Sequence, residues 1–372
     1  MGTSSQFGMK ARQFCDMLQI DVPLVQAPMA GGWTTADLVA TASNAGALGT
    51  IPAARLSLEQ LQSMMEAVRR LTKRPFGVNF LLAPPEPFDG EVETIQAVLN
   101  QIREKLNLPP LEGKFSLPPP TSLEEQLEAV LAQNIPVVSF AMGNPARYVD
   151  RIHAHGALVF GTATTVAEAI ELEKSGVDGI VAQGAEAGGH RSTFNVQYGE
   201  ELPLVGTIVL VPSIADAVRC PVLASGGVMD GRGVIAALAL GASGVQMGTR
   251  FLVSAESGAF PSYRQKIIDA RETDTVMTWQ FTGRPARSIR NQFIQHLDQS
   301  GSAPLPWPYQ AVAAEDIYRA AVTGNVAEYG PILAGQGAAL ARSGQSAAQV
   351  VAEIIAEAQQ VLGELTTNEN PS

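Results

Sequence analysis

Three glycine-rich runs hold the residues best suited to chemistry: QGAEAGGHR (183–191), ASGGVMDGRG (224–233) and VQMGTRF (245–251). In the last two, bare glycines let an anion approach backbone N–H groups, and a following helix N-terminus favours negative charge. Together they read as a phosphate cradle at Gly226, Gly227 and Gly248, with tight turns as the alternative use of such glycines. The first run sets His190 in a glycine-flanked loop, where an imidazole can exchange protons near neutral pH. Glu186 in that run is read as a loop partner, because Glu-x-x-x-His is too loose for a metal site without further ligands. Arg250 supplies either charge to the cradle or an internal ion pair. His153 and His155 fall near a helix end, and His296 has no assigned role.

These runs follow short apolar segments at about 24–29, 47–51, 76–80, 137–140, 157–162, 179–183, 222–226 and 244–248. Each segment is nearly continuous in apolar residues, as expected of strands buried on both faces. Each follows a Gly or Pro break: Gly46, Gly156, Gly176 and Gly241, or Pro23, Pro75, Pro136 and Pro221. Glycine closes a helix in the left-handed conformation, and proline stops one. Helical stretches such as Leu58–Leu71, Leu123–Gln133 and Val166–Ser175 lie between the segments. Eight β-then-α units predict an α/β chain folded as a (β/α)8 TIM barrel over residues 1–253. The rival, an open doubly wound sheet, lacks both GxGxxG after the first strand and GxxxxGK[ST] anywhere. Residues 81–120, with PPEP and LPPP, form an excursion after the third strand. Residues 254–345 read as a mostly helical cap or lid, broken at LPWPY (305–309), and 346–372 as a final helix with a frayed tail.

Barrel sites lie at the C-terminal strand ends. Those ends are polar but neutral: Ala27, Pro28 and Met29 after Gln26, then Asn79, Ser139, Thr162, Gln183, Ser225, Gln246 and Met247. No lysine sits there for a Schiff base, and no carboxylate pair for glycoside hydrolysis or a metal, so no metal site is expected. Neutral amides and exposed N–H groups suit a flat heterocycle, beside which a buried ion would be costly.

Composition narrows the class further. The net charge is −11, with 25 Lys and Arg against 36 Asp and Glu, and no basic run offers a footprint for nucleic acid or anionic lipid. No apolar run reaches the roughly 18 residues of a membrane span, and the polar start does not read as a signal peptide. Cys15 and Cys220 are 205 residues apart and form no CxxC, which fits a reducing, cytoplasmic setting. A homo-oligomer is left open.

The ordered set QAPMAGG (26–32), AGALGT (45–50), PFGVNF (75–80), AQGAEAGGH (182–190), ASGG (224–227) and QMGTRF (246–251) resembles the nitronate monooxygenase family, formerly called 2-nitropropane dioxygenases. The resemblance spans roughly residues 14–345 and implies an FMN-dependent (β/α)8-barrel enzyme. It implies that the FMN phosphate lies at Gly226, Gly227, Gly248 and Thr249, with Met247 also among the cofactor-binding residues. The ring would lie against Ala27, Pro28, Met29, Asn79, Gln183, Gly188 and Gln246. His190 would be the catalytic base for neutral nitroalkanes. Alkyl nitronates such as propionate 3-nitronate would be the substrates, oxidised with O2 and without a nicotinamide. FMN-dependent enoyl-acyl-carrier-protein reductases and quinone reductases, which use NAD(P)H, share part of the pattern. GRPARSIRN (283–291) and PILAGQGA (331–338) look more like class I nitronate monooxygenases. A non-catalytic flavin-binding module is the alternative of another class. Two positions depart from the family pattern: Ser192 stands where glycine is usual, and Leu333 where an aromatic is usual.

Overall fold

Phe14 of the first helix, Met9–Leu18, meets Phe160 edge-on at 6.3 Å and helps close the floor of a parallel barrel. The computed structural model describes residues 6–113, 117 and 121–366. Its barrel strands are β1 (Leu24–Gln26), β2 (Gly49–Pro52), β3 (Phe76–Leu81), β4 (Val137–Ala141), β5 (Leu158–Ala163) and β6 (Gly179–Gln183). After a two-residue strand β7 (Gly189–His190) come β8 (Val222–Ser225) and β9 (Gly244–Met247). The sheet order is β1-β9-β8-β6-β5-β4-β3-β2, and every pair is parallel. A single bridge, Val25 to Leu48, brings the two ends together. Leu48 N–H donates to Leu24 O at 2.9 Å, and Gln26 N–H donates to Leu48 O at 2.9 Å. The eight apolar segments read from the sequence are these eight strands.

The floor is dry. Phe14, Cys15 and Leu18 pack with Val25, Leu48, Val137, Phe160, Val181 and Leu223, so the first helix plugs the N-terminal end. Only the C-terminal end is left for a ligand, as in other barrels of this type. A larger core lies between the strands and the surrounding helices, where Leu61, Met65 and Val68 of the helix Leu58–Leu71 are fully buried. Ser57 and Gln60 begin that helix with a reciprocal capping box, and Thr165 and Glu168 do the same for Val166–Lys174. The four helix-closing glycines, 46, 156, 176 and 241, have φ between 75° and 99°, the left-handed region predicted for them.

The excursion after β3 contains a helix, Glu93–Lys105, whose Ile95, Leu99 and Ile102 pack on Phe293, Leu297 and Ile317 of the cap. LPPP, apart from Leu117, lies outside the described residues, as does the expected frayed tail at 367–372. The cap has helices at Pro261–Ile268, Gln292–Ser300 and Glu315–Thr323, together with a hairpin that the sequence reading did not anticipate. Strands β10 (Thr275–Thr278) and β11 (Ala286–Ile289) pair antiparallel, and β11 also pairs with β7. A run such as ARSI carries no apolar alternation of its own. It becomes a strand because a loop of the barrel, about 100 residues earlier, lies beside it. The last helix, Ala347–Thr366, buries Val350, Val351, Ile354 and Ile355 in the barrel core and not in the cap. No described helix is long and apolar enough to cross a membrane.

Arg103 joins the excursion to the cap. It is fully buried, with Nε and Nη2 on Asp316 at 2.8 and 3.0 Å and Nη2 also on Ala313 O at 2.6 Å. Nη1 donates to Gln96 and Asn100 at 2.8 and 2.9 Å, so the guanidinium is saturated. Removing one partner of such a pair strands the other charge. Arg103→Ala is therefore expected to cost roughly 3 kcal/mol or more in urea unfolding. An unchanged midpoint would mean that the contact carries no stability.

Candidate active site

The C-terminal ends of the strands open into a cavity of about 580 Å³, within the usual range for small-molecule sites. All thirteen residues singled out from the sequence line it. Ala27, Pro28 and Met29 follow β1, Asn79 lies in β3, and Gln183 ends β6. Gly188 and His190 come from the loop after β6. Gly226 and Gly227 follow β8, and Gln246, Met247, Gly248 and Thr249 end β9 and begin the next turn.

The floor is set by amides. Asn79 Nδ2 donates to Ser139 Oγ at 3.0 Å. Gln183 is locked at both ends: Nε2 donates to His190 O at 3.0 Å, and Oε1 accepts Ser192 N–H at 2.9 Å. The Gln246 side chain makes no hydrogen bond to other described residues and is free for a ligand. At one end, Gly226 and Gly227 take φ of +111° and +74°, and a Cβ at Gly226 would lie 2.8 Å from Ala187 N. The backbone N–H groups of Gly226, Gly227 and Gly248 have no acceptor among the described residues. These are orphan donors of the kind a phosphate satisfies.

Two further sequence readings are settled by contacts. Arg250 points away from the cavity to Gln345, Glu353 and Arg342 O, so it is the internal ion pair and not a cradle charge. Glu186 holds the start of the helix Thr207–Ala217: its carboxylate accepts Thr207 N–H at 2.8 and 2.9 Å and Thr207 Oγ1 at 2.7 Å. It lines the cavity, but both oxygens are occupied. His153 binds Asp178 Oδ2 at 2.8 Å and His155 caps its helix, and neither lines the cavity.

The loop carrying His190 is fixed from both sides. Strand β7 pairs with β11, His190 opposite Ala286. Arg191 is buried and donates to Gly184 O at 2.6 Å and Gln183 O at 3.0 Å. Arg287 Nε donates to Ala185 O at 2.8 Å, and Arg284 donates to Thr193 O and, at 3.3 Å, to Phe194 O. Burial is the chief reason the Arg191 guanidinium is held down to about 10. Gly188 is where the cap touches the loop. A Cβ there would lie 2.5 Å from the backbone of Ala334 and Gly335, and Gly335 N–H donates to Thr249 Oγ1 at 3.0 Å. The AGQ segment thus rests directly on the two glycine turns. Of the two departures, Ser192 has an ordinary negative φ and needs no glycine, while Leu333 lines the cavity where an aromatic is usual.

His190 itself is half-buried, with its ring at the cavity wall. Its Nε2 lies 2.8 Å from Thr282 Oγ1, and its ring stands edge-on to Trp307 at 5.4 Å. Burial, then the positive charges of Arg284 and Arg55, push its pKa down from 6.5 to about 4. The ring is therefore neutral at physiological pH. Arg55 and Arg319 line the cavity together with Glu315, so the wall is not uniformly neutral as the strand ends alone suggested. Sequence reasoning missed Thr282, Arg55, Arg319 and Trp307, because all four lie off the barrel strands.

Comparison with known proteins places this geometry. The sequence model of nitronate monooxygenase matches residues 12–357. A probable nitronate monooxygenase of Staphylococcus aureus (strain Newman) is 41% identical over 348 residues, covering 93% of this chain and 97% of the relative. The chain belongs to the nitronate monooxygenase family. Among solved structures, the nitroalkane oxidase of Streptomyces ansochromogenes superposes with a TM-score of 0.88 at 33% identity, covering 95% and 99% of the two chains. FabK from Thermotoga maritima gives 0.75 at 30% identity, covering 95% and 97%. As a nitronate monooxygenase family member the chain is an FMN-dependent oxidoreductase. None of the described His, Cys, Asp or Glu side chains gather in threes around a metal-sized site.

A half-buried histidine held neutral has a consequence for stability. Between pH 6.5 and about 4 the unfolded chain holds a proton on this ring that the folded chain does not. Stability contributed by the neutral ring is full above that window and is lost as pH falls through it. Urea midpoints measured at pH 7.5 and 4.5 should fall more in the wild type than in His190→Asn. Equal losses in both would contradict the neutral ring.

Proposed function

We propose that this protein oxidises alkyl nitronates with O2, using FMN bound in the barrel mouth and no nicotinamide. The observation that carries this reading is the meeting, in one cavity, of His190 with the orphan N–H groups of Gly226, Gly227 and Gly248. On this reading residues 1–253 hold the FMN and residues 254–345 close over it.

The residues fit such a group. The glycine turns after β8 and β9 offer unpaired donors and no side chain to obstruct a phosphate. Ala27, Pro28, Met29, Asn79, Gln183, Gly188 and Gln246 would hold the ring, the amides by hydrogen bonds and Met29 by contact. Bound FMN supplies the electron acceptor that no side chain of the chain provides.

The protein's own part is positioning and charge. Arg284 and Arg55 disfavour a proton on His190, and the guanidinium groups of Arg55 and Arg319 in the wall can meet an anionic nitronate. His190, neutral and facing that space, can take a proton from a neutral nitroalkane. Its depressed pKa makes it a weak base, so the nitronate, which needs no deprotonation, is the better substrate. A bound anion would raise the basicity of the ring by offsetting the two guanidinium charges. Phe281, Leu333 and Met29 line the same space and limit water.

The purified protein should be yellow, and anaerobic propionate 3-nitronate should bleach it. Reduction by NADH or NADPH alone would overturn the reading in favour of a reductase. A flavin that keeps its colour with every one of these donors would favour a non-catalytic module. His190→Asn should keep the bound flavin but lower turnover of neutral nitroalkanes about 100-fold, the lower end of what a positioned base contributes. Turnover of preformed nitronate should fall much less. Unchanged nitroalkane turnover would remove the base from His190.

A further inference from the structure

Thr282 lies in the connection between β10 and β11, 92 residues from His190 in sequence, and lines the same cavity. A threonine hydroxyl has one hydrogen to give and two lone pairs to receive with. Three contacts use this one: His190 Nε2 at 2.8 Å, Arg284 N–H at 3.3 Å and Arg284 O at 3.3 Å. The count closes in one way that satisfies all three. The hydroxyl hydrogen goes to Arg284 O, one lone pair accepts Arg284 N–H, and the other accepts a proton carried on His190 Nε2. Nδ1 of His190 makes no hydrogen bond to the described residues, and it is not among the buried polar atoms that lack a partner. It is therefore the ring atom still open to the cavity.

We infer that Thr282 is a positioning residue that keeps the His190 proton on Nε2 and leaves the Nδ1 lone pair toward the substrate. The opposite tautomer would leave Arg284 O without the hydroxyl hydrogen and present an N–H, not a base, to the cavity. The backbone geometry that makes this possible belongs to the cap. Arg284 is held through its guanidinium to Thr193 O, and Pro285 O accepts Arg191 N–H at 2.9 Å. The turn that orients the hydroxyl is thus anchored to the loop that carries the imidazole. Trp307, edge-on to the ring at 5.4 Å, bounds its rotation on a second side. The catalytic meaning of this tautomer rests on the base role proposed above; the tautomer itself does not.

The test uses the full chain labelled with ring-15N histidine, which contains four histidines, and His190→Asn assigns the signal. Protonated and unprotonated ring nitrogens differ widely in 15N shift, so the spectrum reads the tautomer without substrate. The expected result is a protonated Nε2 and an unprotonated Nδ1 in the wild type. Thr282→Val should lose that fixed pattern, and Thr282→Ser, which keeps the hydroxyl, should restore it. In turnover, the ratio of nitroethane to ethyl nitronate rates should fall about tenfold in Thr282→Val, the scale of one neutral hydrogen bond, and recover in Thr282→Ser. A wild-type ring protonated on Nδ1 would overturn the inference. So would a Thr282→Val protein that keeps both the tautomer and the rate ratio. If His190→Asn leaves nitroethane turnover intact while the spectrum shows Nε2–H, the base reading fails and the positioning stands.

Discussion

Everything at this site depends on guanidinium groups holding the carbonyls of one loop. Residues 183–194 leave the barrel after β6 and would be free to move, since they have little apolar surface to bury. Arg191 from within the loop, and Arg284 and Arg287 from the cap, donate to the carbonyls of residues 183, 184, 185, 193 and 194. Carbonyl oxygens are good partners for buried guanidinium groups because each contact satisfies a polar atom that would otherwise lack one. Glu168 holds the same loop from the barrel side, accepting Phe194 N–H at 2.9 Å and capping its own helix. The loop is therefore clamped between two parts of the fold that have separate cores.

That clamp has an electrostatic product. Burying cations near a histidine lowers its affinity for a proton, and Arg284 does so as the largest charge effect after burial itself. The residue that secures the loop thus also helps to keep the imidazole neutral. Geometry and charge are coupled through one side chain. A substitution at Arg284 could not change one without the other.

The barrel was legible in the sequence because its signals are local. Short apolar runs, each behind a glycine or proline break, mark the eight strands, and the ends of those strands name the cavity floor. Gly188 could be seen as part of a glycine loop, but not the reason for it, which is the backbone of Ala334 and Gly335 at 2.5 Å from where a Cβ would stand. The hairpin of β10 and β11 was not legible for the same cause. Its strands are defined by pairing with β7, and nothing within 275–289 carries that information. Thr282, Arg55 and Trp307 were hidden because no strand end holds them. A threonine or an arginine in a loop has no periodicity to betray its contact.

The division of labour follows from where each kind of residue can be placed. The mouth of a (β/α)8 barrel is built from strand ends that are surrounded by apolar core, so charge there would be expensive to bury. The floor consequently uses amides and glycine N–H groups. Charge enters from the cap and the loops, where guanidinium groups can reach carbonyls and the partly exposed pair Arg55–Glu315 can remain in water. A neutral floor suits a flat cofactor, and the guanidinium groups of Arg55 and Arg319 at the rim can meet an anion arriving above it. Because the rim is carried by elements remote in sequence from the floor, the two can vary separately. Leu333 and Ser192 line the cavity apart from the glycine turns after β8 and β9.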